Sequence, residues 1–75
     1  MTIDQIPDLS RLFGLTPTEA VVARWLIVGL SEDAIAEELG LSVETLRTHR
    51  KRIYSKTNTT TRSDFIASMT ALFAY

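Results

Sequence analysis

The chain has 75 residues, a formal net charge of −1 at neutral pH and no cysteine. This length suits one small domain, which buries only about 60% of its unfolded surface, and the lack of cysteine excludes a disulfide framework and any cysteine-based zinc site. No apolar run reaches the roughly 18 residues of a membrane span, and the N-terminus lacks the basic and apolar segments of a signal peptide, so we expect a cytoplasmic protein without membrane contact.

The chain is expected to divide into an N-terminal extension, residues 1–14, and a helical domain, residues 15–75. Thr16, Pro17 and Glu19 form a capping-box pattern with proline at the first helical position. This pattern predicts a helix that runs to Val28, with Gly29 near its end. We interpret Glu19 as a capping carboxylate rather than a catalytic one.

One face of this opening helix is apolar, because Val21, Trp25 and Val28 recur at i, i+4 and i+7. Two interpretations stay open. In the first, four apolar residues of the extension fold back onto this face as a short preceding helix: Ile6, Leu9, Leu12 and Phe13. In the second, the face is a surface for a partner or for an upstream domain.

The next segment predicts two helices joined by a tight turn. Ser31 is placed to cap the first helix, Gly40 to end it and Ser42 to cap the second. The first helix carries a narrow apolar stripe: Ile35, Ala36 and Leu39. Two helices separated by so few residues must turn sharply, as in a helix-turn-helix. A helical hairpin without a special function is the alternative.

In the second of these helices, about 43–57, polar and apolar residues occupy different sides of the helix. At about 100° per residue, five polar residues fall within one arc: Glu44, Arg47, Thr48, Lys51 and Ser55. Leu46 and Ile53 lie on the opposite side, so we expect them in the core. Two groups flank the arc: His49, Arg52 and Lys56 on one edge, and Arg50 and Tyr54 on the other.

Positive charge is concentrated in this part of the chain. No acidic residue lies between Glu44 and Asp64, and six of the eight basic residues fall in that interval: Arg47, Arg50, Lys51, Arg52, Lys56 and Arg62. A polar face with basic edges suits the major groove of DNA, where central side chains reach base edges and the flanks meet phosphates. Because the net charge is slightly negative, segregation of charge must attract the DNA.

The last helix is expected to begin near Thr61, with Asp64 completing a second capping pair. It has more apolar residues than one core stripe needs: Phe65, Ile66, Met69, Leu72 and Phe73. A strip of small residues recurs at i, i+4 and i+7: Ala67, Ala71 and Ala74. Small residues permit close approach of a second helix, although helix propensity alone also favours alanine.

Taken together, these motifs resemble the LuxR-type (FixJ/NarL-type) helix-turn-helix of bacterial transcription regulators from Leu15 to about Leu72. The resemblance rests on these positions: Leu15-Thr16, Glu19, Gly29-Leu30-Ser31, Ile35-Ala36, Leu39-Gly40, Ser42, Thr45, His49, Lys56 and Arg62. It implies an all-α, four-helix domain whose third helix enters the major groove and whose fourth forms a dimer contact. The short helix in the extension would be additional.

The resemblance also assigns roles to residues. Arg47, Thr48 and Lys51 match base-reading positions, whereas Thr45 and His49 match positions near the DNA backbone. With the two basic residues at the edge, the expected DNA-binding set is Thr45, Arg47, Thr48, His49, Lys51, Arg52 and Lys56. Three residues of the opening helix match the core of the family: Val22, Ala23 and Leu26. The face that contains Trp25 is therefore a second apolar face.

The turn after the third helix departs from the family, which often has Lys-Leu-Gly-Val where this chain has Lys56-Thr57-Asn58-Thr59. Asn58 can adopt the left-handed conformation less easily than glycine. Thr57 and Thr59 supply less apolar surface than leucine and valine. We therefore expect a looser turn here.

These features predict sequence-specific binding of double-stranded DNA in transcription regulation, as a homodimer on two half-sites. We expect no enzyme, because His49 has no nearby carboxylate to orient it and no glycine-rich phosphate loop is present. We expect no cofactor, metal or small-molecule ligand. The alternative is a helix-turn-helix module that acts mainly by binding protein, such as an antagonist of a larger regulator. A module similar to region 4 of sigma factors is a related DNA-binding alternative.

Overall fold

The structure, a computed structural model, describes residues 9–73. It contains five helices and no strand in that range: α1 (Leu9–Phe13), α2 (Pro17–Val28), α3 (Glu32–Leu39), α4 (Val43–Lys56) and α5 (Arg62–Phe73). The predicted all-α fold with a short additional N-terminal helix is therefore confirmed. No helix in the described part of the chain is long and apolar enough to cross a bilayer.

The helices begin where the capping residues of the sequence place them. The Glu19 N–H donates to Thr16 Oγ1 at 3.2 Å, and the Thr16 N–H donates to Glu19 Oε1 at 3.0 Å, which completes the capping box. Ser31 and Ser42 each accept a backbone N–H at 3.1 Å from the third residue after them. These bonds satisfy N–H groups that have no partner inside the helix.

The turn of the helix-turn-helix is closed by Gly40, whose φ is 66°. The Leu41 N–H donates to the Ala36 carbonyl at 2.9 Å, and the Gly40 N–H donates to the Glu37 carbonyl at 3.2 Å. This pair of bonds is a Schellman motif, which requires a left-handed residue at the position of Gly40. Glycine adopts that conformation without steric cost, so the local sequence favours the tight turn between α3 and α4.

The helix α2 is at the centre of the packing, since each of the other four helices contacts it. The predicted core positions Leu46 and Ile53 of α4 are completely buried. The apolar core comprises Leu9, Leu15, Ala20, Val22, Ala23, Leu26, Ile35, Ala36, Leu46, Ile53, Tyr54, Phe65 and Met69. One core therefore joins α1 to the helix-turn-helix and to α5.

The helix α1 packs on α2. Leu9 is completely buried, and Phe13 and Trp25 are partly buried against the core. Leu12 is 53% exposed and Val28 41% exposed, so about half of Leu12 and much of Val28 stay accessible to solvent. Ile6, the fourth residue expected to fold back onto α2, lies outside the described residues.

The turn between α4 and α5 is well bonded rather than loose. Asn58 has φ 57°, the left-handed conformation that the sequence predicted. The Thr59 N–H donates to the Tyr54 carbonyl at 2.8 Å, and the Asn58 N–H donates to the Ser55 carbonyl at 3.3 Å, which forms a second Schellman motif. The hydroxyls of Thr57 and Thr59 lie 3.0 Å apart and bond to each other. Hydroxyl pairing thus takes the place of apolar packing in this turn.

Candidate nucleic-acid interface

The helix α4 presents a polar face to solvent because its apolar side packs on α2 and α3. Six of the seven predicted DNA-binding residues are exposed on it: Thr45, Arg47, Thr48, Lys51, Arg52 and Lys56. The seventh, His49, is only partly exposed. The structure thus brings the predicted residues together on one helix whose opposite side is anchored by Leu46 and Ile53.

Three cations of this face have no partner among residues 9–73. Arg47, Lys51 and Arg52 form no ion pair and no side-chain hydrogen bond with any residue of the described range 9–73. An exposed and unpaired cation can exchange its water for a phosphate or a base edge without breaking a protein contact. These three side chains are therefore the ones that a polyanion would meet first.

The remaining polar residues of the face are more constrained. The Ser42 hydroxyl donates to Thr45 Oγ1 at 2.9 Å, which fixes Thr45 beside the N-terminus of α4. The Thr48 hydroxyl donates to the Glu44 carbonyl at 3.3 Å. His49 has its Nδ1 atom buried without a hydrogen-bond partner in the described part of the chain. Only part of the His49 ring therefore remains available to a ligand.

Lys56 forms a contact inside the protein that the sequence analysis did not foresee. Its Nζ atom donates to Glu19 Oε1 at 2.6 Å and to the Gly14 carbonyl at 3.3 Å. The side chain of Glu19 is 2% exposed and that of Lys56 is 36% exposed. Lys56 thus joins the last turn of α4 to the first turn of α2 while part of it stays in solvent.

The environment of Glu19 favours its charged form. Burial alone would raise the pKa of Glu19, but hydrogen bonds from Lys56 and the Thr16 N–H, together with the charge of Lys56, outweigh it and hold the pKa below the ordinary value. The capping role that the sequence assigned to Glu19 is therefore confirmed. The carboxylate has a second role, since it also holds the end of α4.

Two other basic residues of the interval are bound within the protein. Arg50 Nη1 contacts both carboxylate oxygens of Glu32 at 2.8 Å, so that an ion pair joins α4 to α3. Arg62 Nη2 donates to the carbonyls of Leu26 and Leu30 at 3.0 and 2.6 Å. A cation at the C-terminal end of α2 also interacts favourably with the helix dipole. The basic interval therefore serves two purposes, internal bonding and an external charged face.

The residues of this surface lie in a segment that matches a known protein family. The family model of bacterial regulatory proteins of the luxR family matches residues 14–69. The chain belongs to this family. The matched segment contains α2, α3, α4 and most of α5, and it includes every residue of the predicted DNA-binding set.

Curated relatives include transcriptional regulators of much greater length. The HTH-type transcriptional regulator MalT of Yersinia enterocolitica serotype O:8 / biotype 1B is 35% identical over 66 residues, which is 88% of this chain and 7% of that protein. MalT of Yersinia pestis (strain Pestoides F) and of Yersinia pseudotuberculosis serotype O:1b is 33% identical over the same shares. The chain thus spans about 7% of the length of these relatives. No solved structure matches the chain significantly.

Membership of the luxR family supports DNA binding in transcription regulation as the function of this domain. The family is one of regulatory proteins and not of enzymes. The described residues contain no group of three or more side chains suited to hold a metal ion. The candidate site is a charged surface on α4.

Proposed function

We propose that this domain binds double-stranded DNA sequence-specifically by placing α4 in the major groove. The observation that carries the proposal is the exposed face of α4, on which Arg47, Lys51 and Arg52 have no partner in the described residues. A major groove about 12 Å wide admits an α-helix and presents a distinct pattern of donors and acceptors for each base pair. The protein is proposed to act in the cytoplasm of a bacterium.

Each residue of the face has a proposed role. Arg47 and Lys51 lie within the polar arc and would donate to base edges, with Thr48 between them. Arg52 is at the edge of the arc and would contact a phosphate. Thr45 and His49 would lie near the backbone of the DNA, and Lys56 would add a phosphate contact with the part of its side chain that stays in solvent.

The distribution of charge would orient the domain on DNA. The helix α3 exposes Asp33, Glu37 and Glu38, whereas four of the five exposed cations in the described residues lie on α4: Arg47, Lys51, Arg52 and Lys56. Because DNA carries one negative charge per about 1.7 Å of its axis, it attracts the face of α4 and repels the acidic side of α3. A protein with a net charge of −1 can therefore approach DNA productively in one orientation.

The experiment that tests the groove assignment selects bound sequences from a random DNA pool and then measures the affinity of variants. Arg47→Ala and Lys51→Ala should each cost about 1–3 kcal/mol on the selected site and relax the preference at one base position. Arg52→Ala should weaken selected and random DNA alike and reduce the salt slope by about 0.9. Equal losses from all three variants on both kinds of DNA would overturn the division into base-reading and phosphate-binding residues.

We further propose that two copies pair through α5. A single recognition helix contacts few base pairs, and two-fold pairing doubles the site. Ala67, Ala71 and Leu72 are exposed on α5, while Phe65 and Met69 are buried within the domain. The contact would therefore be small, with Leu72 at its rim. Ala74, the third alanine of the strip, lies outside the described residues.

Ala71→Glu tests this pairing, because it places two like charges together near the two-fold axis. It should reduce cooperative binding to paired half-sites and leave the affinity for a single half-site nearly unchanged. Ser63→Glu is a matched control, since it adds the same charge to an exposed position at the other end of α5. If Ala71→Glu titrates paired sites as the parent does, α5 is not the dimer contact.

A protein partner is the second candidate function, and two exposed apolar residues favour it. Leu12 of α1 and Val28 of α2 are 53% and 41% exposed. Such side chains on a regulator domain are suited to bind another protein. Leu12→Ser should leave DNA affinity unchanged under the first proposal. A chain that fails to enrich any DNA sequence, and whose regulatory effect Leu12→Ser removes, would act through protein contact instead.

A further inference from the structure

A polar cleft lies beside α4, and Lys51 is the one member of the DNA-binding set that lines it. Its volume is about 360 Å³, which accommodates a phosphate group with several water molecules, since each water occupies about 30 Å³ in the liquid. Arg50, Lys51 and Tyr54 of α4 form one wall, and Glu32 of α3 and the start of α5 at Arg62 form the others. The cleft is therefore built where three helices meet.

The hydroxyl of Tyr54 is the unusual group in this cleft. Tyr54 is 8% exposed, and its hydroxyl is buried without a hydrogen-bond partner in the described part of the chain. Its ring packs on Phe65 with the centroids 5.6 Å apart, so apolar contact accounts for the ring but not for the hydroxyl. A buried polar group without a partner destabilises a protein, and phenylalanine would fill the same space without that cost.

The charge of the cleft selects an anion. Its lining has three cations, Arg50, Lys51 and Arg62, and one carboxylate, Glu32, so two positive charges are in excess. Arg50 uses only Nη1 for Glu32, which leaves its other N–H groups for a ligand. Burial raises the pKa of Tyr54, opposed in part by the nearby charge of Arg50, so the hydroxyl stays protonated and can donate to an oxyanion.

The cleft adjoins the face of α4 that is proposed to bind DNA. Lys51 belongs both to the lining of the cleft and to the exposed arc of α4. Arg50 and Tyr54 lie on the edge of α4 that is opposite to Arg52 and Lys56. When a helix occupies the major groove, its two edges face the two phosphate strands. The cleft would thus face the strand that Arg52 does not reach.

We propose that this cleft binds a phosphodiester of the DNA backbone, with Tyr54 as a neutral donor and Arg50 as its charged partner. This inference rests on the proposed DNA-binding function. The hydroxyl is closed to solvent in the free protein, so a side chain of the cleft must shift to admit the phosphate oxygen. The unsatisfied hydroxyl of the free protein then gains its hydrogen bond only on DNA.

Replacing Tyr54 with phenylalanine should lower the affinity for DNA without lowering the stability of the fold. Tyr54→Phe should unfold at a urea concentration no lower than that of the parent, because it loses no intramolecular hydrogen bond. It should bind selected and random DNA about tenfold more weakly, a fold-change that corresponds to about 1.4 kcal/mol. Ser68→Ala is the matched control, since it removes an exposed hydroxyl from α5 away from the cleft, and it should change neither quantity.

A second measurement uses the parent protein and modified DNA. Neutral methylphosphonates replace the phosphates of the selected site one at a time, and affinity is read by fluorescence anisotropy. At one position in each half-site, the methylphosphonate should weaken DNA binding by the parent but have much less effect on binding by Tyr54→Phe. The variant already lacks the hydrogen bond to that phosphate, so the substitution removes no further contact with the hydroxyl. This coupling between one phosphate and the Tyr54 hydroxyl would identify the phosphate that the cleft binds.

The outcomes separate this inference from the proposed function. If the parent binds DNA and Tyr54→Phe binds it equally well at every methylphosphonate position, the inference is wrong and the proposed function stands. If inorganic phosphate shifts the Tyr54 ring resonances of the parent but DNA affinity is unchanged in Tyr54→Phe, the cleft takes a free anion and the inference is again wrong. If the parent binds no DNA at all, the proposed function fails and the inference fails with it.

Discussion

Replacing Lys56 should reveal how much the contact between α4 and α2 stabilises the domain. Lys56→Met keeps most of the aliphatic stem and removes the charge. The Glu19 carboxylate, which is 2% exposed, then loses its partner at 2.6 Å. It keeps the Thr16 N–H at 3.0 Å. The variant therefore leaves a buried negative charge with one hydrogen bond and no counter-ion.

The expected loss lies between two known limits. Breaking a fully buried ion pair by removal of one partner costs about 3–5 kcal/mol, whereas an exposed pair contributes about 0–1 kcal/mol. Because Lys56 is 36% exposed, solvent screens this pair, and we expect a loss of about 2 kcal/mol. In a domain of this size 1 kcal/mol moves the melting temperature by about 4–8 °C, so the midpoint should fall by roughly 8–16 °C.

Urea unfolding followed by Trp25 fluorescence at neutral pH measures this loss. Arg52→Met is the matched control, because it removes a cation of α4 that is exposed and has no partner in the described residues. The control should unfold at the midpoint of the parent. If Lys56→Met and Arg52→Met share one midpoint, the contact with Glu19 contributes nothing and the reasoning from burial is refuted.

Three further predictions concern stability. The pKa of Glu19 is lower in the folded protein than its ordinary value of 4.5. The contribution of Glu19 to the free energy of unfolding should therefore be complete above pH 4.5 and be lost as the pH falls through the folded pKa. When the urea midpoint is measured as a function of acid pH, Glu19→Gln should be less sensitive to pH than the parent. Leu9→Ala should cost about 2–5 kcal/mol because Leu9 is completely buried, and Trp25 emission should shift to the red; no change in either would mean that α1 does not hold to α2 in solution. Asn58→Ala should cost about 1 kcal/mol because φ is 57°, whereas Asn58→Gly should be tolerated, and equal denaturation midpoints for the two variants would contradict a left-handed turn.

Local signals in the sequence predicted the helices well. Thr16, Ser31 and Ser42 each bond to a backbone N–H three residues away, and Gly40 ends α3 through bonds to residues three to five positions earlier. Such short-range bonds depend on residue type and spacing, which the sequence displays directly. The polar arc of α4 followed from helical periodicity for the same reason.

Contacts between distant residues were not predictable in this way. Arg50 and Glu32 are 18 residues apart, and Lys56 and Glu19 are 37 residues apart. Both cations looked like parts of a basic surface, because the sequence alone does not tell which carboxylate a flexible side chain reaches after folding. The looseness expected from Thr57 and Thr59 was wrong, since their two hydroxyls bond to each other and such bonding depends on the path of the backbone.

The clamp formed by Arg62 has a consequence for the geometry of a bound operator. Because Arg62 holds both the Leu26 and the Leu30 carbonyls, the start of α5 cannot swing away from the end of α2 without leaving polar groups unpaired. In the proposed dimer, the fixed position of α5 relative to α2 would set the distance between the two recognition helices already in the free protein. One extra base pair between half-sites turns the second half-site by about 34–36°, which a rigid frame does not follow. The dimer would therefore bind most tightly at one half-site spacing, and it would discriminate between operators that have identical half-sites but different spacings.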